Sequence, residues 1–271
     1  MSKTILITGS SSGIGRATAI YFAEQRWNVI ATMRTPEKET ELNTLENVWV
    51  APLDVLSPES IQQTVEAGIA RFGSIDVLLN NAGYGAYGPL EVFKREDVIR
   101  QFNTNVIGLI DVTKAVIPHF RAQKSGVIIN VSSIGGRFTF PFGSLYHGTK
   151  YAVEGISESL SFEVAPFGVK VKIIEPGATE TDFAGRSFDF QNDESLTEYQ
   201  GLMEKMIDMI DQLGANSVSP RVVAEKVFEA ATDGTDQLRY PATPDAVSLI
   251  EKRNKESDHQ FIGDMRKQFG L

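Results

Sequence analysis

Tyr146 and Lys150 stand four residues apart, and their side chains are a phenol and an amine. Residues at that separation share one face of a helix, so the two groups would open into the same space. A phenol with a pKa of about 10 is a poor base near neutrality. An ammonium about 4 Å away, at an effective dielectric near 20, is worth roughly 4 kcal/mol, or about three pKa units. Such a pair can pass a proton to or from a reacting oxygen, with the ammonium lowering the phenol. On a solvated helix face the same spacing means nothing, so its company matters. Ser133 lies thirteen residues upstream, where an apolar run ends, and Ser132 beside it is a competitor for the same role.

A second cluster precedes this one. The apolar start Thr4 to Thr8 runs into Gly9-Ser10-Ser11-Ser12-Gly13-Ile14-Gly15 and then into a helical pattern from Arg16. A strand, a glycine turn and a helix N-terminus point backbone N–H groups and the positive end of a helix dipole at one spot, which suits a pyrophosphate. Gly9, Gly13 and Gly15 let backbone and ligand approach closely, and Ser11, Ser12 and Ile14 supply amides. The glycines are separated by three residues and then by one, which departs from the first, third and sixth places of the common dinucleotide fingerprint.

That spacing resembles the classical short-chain dehydrogenase/reductase family. The match extends to Asn80-Asn81-Ala82-Gly83, Asn105-Val106-Ile107-Gly108, Ser133, Tyr146 with Lys150, and Pro176-Gly177 followed by Thr179 and Thr181, in order over residues 3–182. Ala31-Thr32-Met33-Arg34 and Tyr84 to Glu91 are similar to the branch of hydroxysteroid 17β-dehydrogenases and retinol dehydrogenases. The resemblance implies an NAD(P)-dependent oxidoreductase that interconverts a carbonyl and an alcohol by hydride transfer. It implies Tyr146 as proton donor, Ser133 as donor to the substrate oxygen, and Lys150 bonded to the nicotinamide ribose. Asn105 is implied to hold a water linking Lys150 to solvent; as a plain residue it would be a poor helix former that kinks its helix. Cofactor contacts are implied at Asp54, Val55, Asn81, Ala82, Gly83, Pro176, Gly177, Thr179 and Thr181. Asp54 also reads as an ordinary turn former.

The choice of dinucleotide is read at the end of the second strand, where a carboxylate would bond the adenosine ribose and repel a 2′-phosphate. Met33 and Arg34 occupy that point. An uncharged residue removes the repulsion, and a guanidinium offers bidentate bonds to phosphate, which favours NADP(H). Ser12 stands where many NADP(H)-preferring relatives carry a second basic residue, so NAD(H) stays possible. An apolar substrate is expected from Phe138, Phe140, Phe142, Phe183 and Phe188, although aromatic residues there also serve as core. Two other readings stay open: a catalytically silent NAD(P)-sensing protein, and an extended relative acting as sugar-nucleotide epimerase or dehydratase. The complete residue set opposes the first; the glycine spacing and short length oppose the second.

Composition narrows the classes further. With 42% hydrophobic and 23% charged residues the 271-residue chain has a globular balance. A net charge of −9 opposes a nucleic-acid partner, since neutralising phosphates needs a basic face. There is no cysteine, and the three histidines show no metal-ligand spacing, so no metal is expected. The opening apolar run is too short for a signal peptide or a membrane span. A cytoplasmic homodimer or homotetramer, assembled through the helices bearing Asn105 and Tyr146, is the expectation from the resemblance.

Positioning these groups calls for a Rossmann-type, doubly wound parallel α/β sheet of about seven strands, with helices on both faces. Strands are predicted over Thr4 to Thr8, Asn28 to Met33, Val48 to Pro52, Ile75 to Leu79, Gly126 to Ser132, Val169 to Ile174 and Gln237 to Pro241. Helices are predicted over Arg16 to Gln25, Pro58 to Phe72, Asn103 to Lys124, Tyr146 to Phe167 and Ser219 to Thr232. One domain spans residues 1–271. Residues 185–215, with Met203, Met206 and Met209 at helical spacing, read as a substrate lid, and 242–271 as a charged C-terminal extension of unassigned purpose.

Overall fold

The computed structural model describes residues 2–181 and 187–271. Along the chain, β1 (Thr4–Ile7) leads to α1 (Gly13–Glu24), β2 (Asn28–Met33), β3 (Val48–Pro52), α2 (Pro58–Phe72) and β4 (Val77–Asn80). Next come β5 (Gly85–Tyr87), α3 (Arg95–Phe102), a π turn at Asn103–Ile107, α4 (Gly108–Gln123), β6 (Gly126–Val131), α5 (Ser144–Val164) and β7 (Val169–Glu175). The remainder forms β8 (Phe188–Phe190), α6 (Thr197–Ala215), α7 (Pro220–Thr232), β9 (Arg239–Pro241), α8 (Pro244–Lys255) and α9 (Asp258–Phe269).

Seven strands pair in the order β3-β2-β1-β4-β6-β7-β9, every neighbour parallel. The sheet has apolar residues on both faces because helices cover both. Ile5 and Ile7 pack with Phe22 of α1 and Val223 and Val227 of α7, while the alternate residue Leu6 packs with Ile61 of α2 and Val112 of α4. The chain winds one way from β1 to β3 and the other way from β4 onward. A crevice at the C-terminal strand ends, between β1 and β4, is the geometric result.

Pro58–Phe72 is helical as its residues predict: the Ser57 side chain accepts the Ser60 amide at 3.2 Å, and Gly73 ends the helix at φ +83°. The predicted strand from Ile75 starts later, at Val77, because the Ile75 amide donates to His119 at 3.1 Å and its carbonyl accepts from Gln123. Two features escaped the periodicity. One is α3, whose short amphipathic run precedes the π turn; the other is a two-stranded parallel pair, β5 with β8, joined across about a hundred residues. The charged C-terminal stretch forms two capped helices, α8 and α9. Among the described residues no helix is long and apolar enough to cross a membrane, and no three His, Asp or Glu side chains gather to hold a metal.

Candidate active site

Helix α1 begins at Gly13 with no acidic residue in its first turn and no side-chain cap bond, which leaves its first amides for an anion. Gly9 and Gly13 have φ of +70° and +55°, a backbone that L side chains rarely adopt. A Cβ on Gly15 would lie 2.4 Å from the Gly9 carbonyl oxygen and 2.5 Å from Asn81 Nδ2, so only glycine fits behind the loop. Asn81 Nδ2 donates to the carbonyls of Thr8 and Gly9 at 2.9 and 3.1 Å, and Thr8 Oγ1 accepts the Asn81 and Ala82 amides at 3.0 and 3.1 Å. Thr8, which the sequence reading did not single out, thus ties the glycine turn to the chain leaving β4.

A cavity of about 870 Å³ opens over this turn. Ser11, Ser12, Gly13 and Ile14 line it together with Gly9; Arg34, Asp54 and Val55 line it from the ends of β2 and β3. Ala82 and Gly83 join Asn81 in its wall, and Pro176, Gly177, Thr179 and Thr181 close the side beyond β7. Its volume suits a small-molecule ligand, and the glycine cradle, which a Cβ would fill, fits a dinucleotide's pyrophosphate. Asp54 also makes the turn that the bland reading proposed, its Oδ1 accepting the Leu56 amide at 3.0 Å. Arg34 is exposed, and no ion pair to it is found among the described residues. By contrast Arg16 is held by Glu39 at 2.6 Å and Glu41 at 2.6 Å.

The candidate reacting groups line the same cavity. Ser133 lies two residues past β6 and accepts the Gly135 amide at 3.0 Å, while α5 carries Tyr146 and Lys150 on one face. The Ser133 side chain is hydrogen-bonded to the Tyr146 phenol. Ser132 is not the partner: its hydroxyl is buried with no protein partner. Lys150 donates to the Val131 carbonyl at 2.8 Å, and its Nζ is 5.7 Å from the centre of the Tyr146 ring.

The electrostatics correct one expectation. Burial pushes the Tyr146 phenol up to about 12, with the Ser133 bond opposing it, whereas the ammonium was expected to bring it down. Burial also pushes Lys150 down to about 8, against the field of Glu154. With its ammonium turned onto a strand carbonyl, Lys150 does not outweigh desolvation of the phenol. His147, next to the tyrosine, is held neutral: burial lowers it to about 4, and its Nδ1 lies 3.0 Å from the Gly135 carbonyl.

Asn105 does not line the cavity. From the π turn its Oδ1 accepts the Tyr84 amide at 3.0 Å, and its Nδ2 donates to the Tyr84 carbonyl at 2.8 Å and to Thr149 Oγ1 at 3.1 Å. Its side chain therefore braces the Gly83–Tyr84 wall against α5, with the amide nitrogen donating twice and the oxygen accepting once.

The distal cavity is lined by Tyr87 of β5, Phe140, Phe188 of β8, and Ile210 and Leu213 of α6. Phe138 and Phe142 are corrected to core: the first packs on Ala246, Ile250 and Phe261, the second against Tyr199. Phe183 lies outside the described residues, as do 185 and 186 of the segment expected to be a lid. Met203 and Met206 are buried in the cluster under α6, so the methionine stripe holds that helix down while Ile210 and Leu213 face the cavity.

The loop after β7 is fixed by the C-terminal extension. The Gly177 amide donates to Thr243 Oγ1 at 3.0 Å and the Ala178 amide to Asp245 at 2.9 Å. A Cβ on Gly13 would stand 3.2 Å from Thr181, so that residue packs on the glycine turn.

Comparison with known proteins agrees with this geometry. The family described as short chain dehydrogenase matches residues 3–192. An uncharacterized oxidoreductase of Schizosaccharomyces pombe is 48% identical over 88% of this chain and 100% of its own length. A 3-ketodihydrosphingosine reductase of Bacteroides thetaiotaomicron is 39% identical over 99% of this chain and 96% of that one. A short-chain dehydrogenase from Streptomyces avermitilis superposes with a TM-score of 0.84 at 32% identity, covering 98% and 97% of the two chains. The NADP-bound structure of ElxO gives 0.76 at 29% identity over 92% and 100%.

Proposed function

Since this chain belongs to the short-chain dehydrogenase/reductase family, and is thereby an oxidoreductase with a nucleotide-binding Rossmann fold, we propose that it reduces the carbonyl of an apolar small molecule to an alcohol, with NADP(H) preferred over NAD(H). The observation that carries this reading is the Ser133–Tyr146–Lys150 group in the wall of the cavity that the glycine turn opens into. When bound there, the nicotinamide supplies the hydride.

The chain's own residues do the rest. Ser133 and Tyr146 hold the substrate oxygen between two hydroxyls, and the alkoxide that forms takes its proton from the phenol. A phenol near 12 stays protonated at neutral pH, which supports the reductive direction. The proton transfer leaves a phenolate on Tyr146, and Lys150, charged below about 8, sets an ammonium beside the ring that stabilises this negative charge. Asn105 acts at one remove by fixing Tyr84 and Thr149. Ser11, Ser12, Gly13, Ile14 and Thr181 hold the pyrophosphate, and Asp54 and Val55 the adenine side. Pro176, Gly177 and Thr179 hold the carboxamide side. Arg34 takes the 2′-phosphate, supported by a guanidinium that has no ion pair among the described residues and stands beside the uncharged Met33.

Tyr87, Phe140, Phe188, Ile210 and Leu213 support an apolar substrate, with α6 as its lid. The relative named 3-ketodihydrosphingosine reductase points the same way. Assembly as a homodimer or homotetramer is supported by Ile107 and Phe162, apolar yet 47% and 74% exposed around α4 and on α5. A cytoplasmic setting belongs to the same proposal, supported by the lack of cysteine.

A panel of ketones, aldehydes and alcohols assayed with each cofactor, followed by the absorbance of the reduced nicotinamide, tests the reading. Faster turnover of apolar ketones with NADPH is expected. A protein that binds NADPH but turns over nothing in the panel would point to cofactor sensing instead.

A further inference from the structure

Behind the reacting centre lies a buried charge cluster that the proton transfer above does not use. Glu154, one turn along α5 from Lys150, and Glu175, at the end of β7, are 6% and 0% exposed. Arg239 of β9 donates from Nε to Glu154 at 2.9 Å and stands 3.8 Å from Glu175; Arg137, after β6, donates to Glu175 at 2.8 Å. One oxygen of each carboxyl, Glu154 Oε1 and Glu175 Oε2, is buried with no hydrogen-bond partner among the described residues, and so is the Ser132 hydroxyl. Ser132 and Glu154 converge where Gly136 has no side chain: a Cβ there would lie 2.5 Å from Ser132 Oγ, 3.0 Å from Glu154 Cγ and 3.1 Å from the Lys150 carbonyl.

Glu154 and Glu175 both reach Arg239, and Arg137 pairs with Glu175 as well; in this poorly solvated interior burial and the neighbouring carboxyl outweigh the two guanidiniums at Glu175, and a proton there turns an orphaned acceptor into a donor. We propose that Glu175 carries a proton in this cluster and that the Glu154 carboxyl, one helical turn from Lys150, is a positioning residue that keeps Lys150 an ammonium. This rests on the reading of Lys150 as the charged partner of Tyr146.

The directions of titration agree. Glu175 is raised, by burial first and by the charge of Glu154 next, while Glu154 is the group that opposes the lowering of Lys150. The remaining charges nearby are already matched. Glu158 takes the second nitrogen of Arg239 at 2.6 Å, and Arg253 of α8 pairs with Asp258 of α9. The Tyr146 phenol, on the other flank of Lys150, stays neutral over the working range.

Full-length protein and its Glu154→Gln and Glu175→Gln variants test this by two readouts. In the reductive pH profile of kcat/KM, Glu154→Gln moves the alkaline limb down by about one pH unit, as a lost charge one helical turn away requires. Glu175→Gln, isosteric with a neutral acid, leaves that limb in place. In infrared spectra at neutral pH, the wild type shows a protonated-carboxyl band that Glu175→Gln lacks. A superimposable limb in folded Glu154→Gln overturns the proposal, and so does the absence of the band from wild type, which holds even if Glu154→Gln does not fold. A purely structural role for Glu154 would change stability or scale the rate without moving the limb. Tyr146→Phe separates the two failures: continued turnover there sinks the catalytic reading itself, whereas a silent Tyr146→Phe beside an unmoved Glu154→Gln limb sinks only the positioning role of Glu154.

Discussion

The Asp245 carboxylate accepts the Ala178 amide at 2.9 Å, across 67 residues of sequence. A residue of the C-terminal extension thereby holds the loop that follows β7 against the cavity, and Gly177 is required because a Cβ would run into that carboxylate. A hydrogen bond to a charged acceptor contributes about 1.5–3 kcal/mol. Asp245→Ala should therefore loosen the loop and lower kcat/KM by about tenfold or more through KM for the cofactor, with the fold retained. Steady-state kinetics with varied NADPH checks this.

Tyr146→Phe keeps the ring and removes the proton. General acid catalysis of this kind contributes about 10²–10⁴-fold, so turnover should fall by that factor. Binding of NADPH, followed by fluorescence or calorimetry, should stay within about twofold of wild type, because the cradle at Gly9 to Gly15 is untouched.

The pH dependence of reduction follows from Lys150. Burial lowers its pKa to about 8, and the phenol does not ionise until about 12. Activity that needs the ammonium is therefore full below about 8 and is lost as pH rises through that value. Lys150→Arg, whose guanidinium stays charged, should remove the limb if the variant retains turnover. A limb near 8 that persists in Lys150→Arg would assign the titration to another group.

Arg34 is expected to distinguish the cofactors. Its removal costs bidentate bonds to a 2′-phosphate but nothing to a ribose hydroxyl. Arg34→Ala should weaken NADPH by about 10–100-fold, the equivalent of roughly 1.4–2.8 kcal/mol, and leave NADH nearly unchanged. Dissociation constants for both cofactors, measured on the same preparation, check it.

His147 makes stability depend on acid. Its folded pKa of about 4 lies below the usual 6.5, so between those values the unfolded chain binds more protons than the folded one. Stability is therefore full above about 6.5 and declines as pH falls toward 4, by on the order of 3 kcal/mol from this group. Denaturant unfolding of wild type and His147→Gln across that range should show a shallower decline in the variant.

Much of the fold was legible because parallel strands buried on both faces are written as continuous aliphatic runs, and Asn28 to Met33 and Val48 to Pro52 have the same bounds in sequence and structure. The pair β5–β8 was not legible. Gly85-Ala86-Tyr87 and Phe188-Asp189-Phe190 are three residues each, too short for an alternation, and each is a strand only because the other is brought beside it. The same limit applies to Phe138, whose burial among α8 and α9 residues no local pattern announces.

What this chain's residues determined alone is local: glycines that alone tolerate the turn at Gly9, Gly13 and Gly15, and a Tyr/Lys pair that one helical turn puts on a common face. Spacing along one element carries such information. The ionisation of that pair was decided by the tertiary structure, because desolvation depends on which distant elements close over a group. Burial raises Tyr146 and lowers Lys150, while Glu154, Glu175 and Arg239, drawn from α5, β7 and β9, meet only once the sheet is wound.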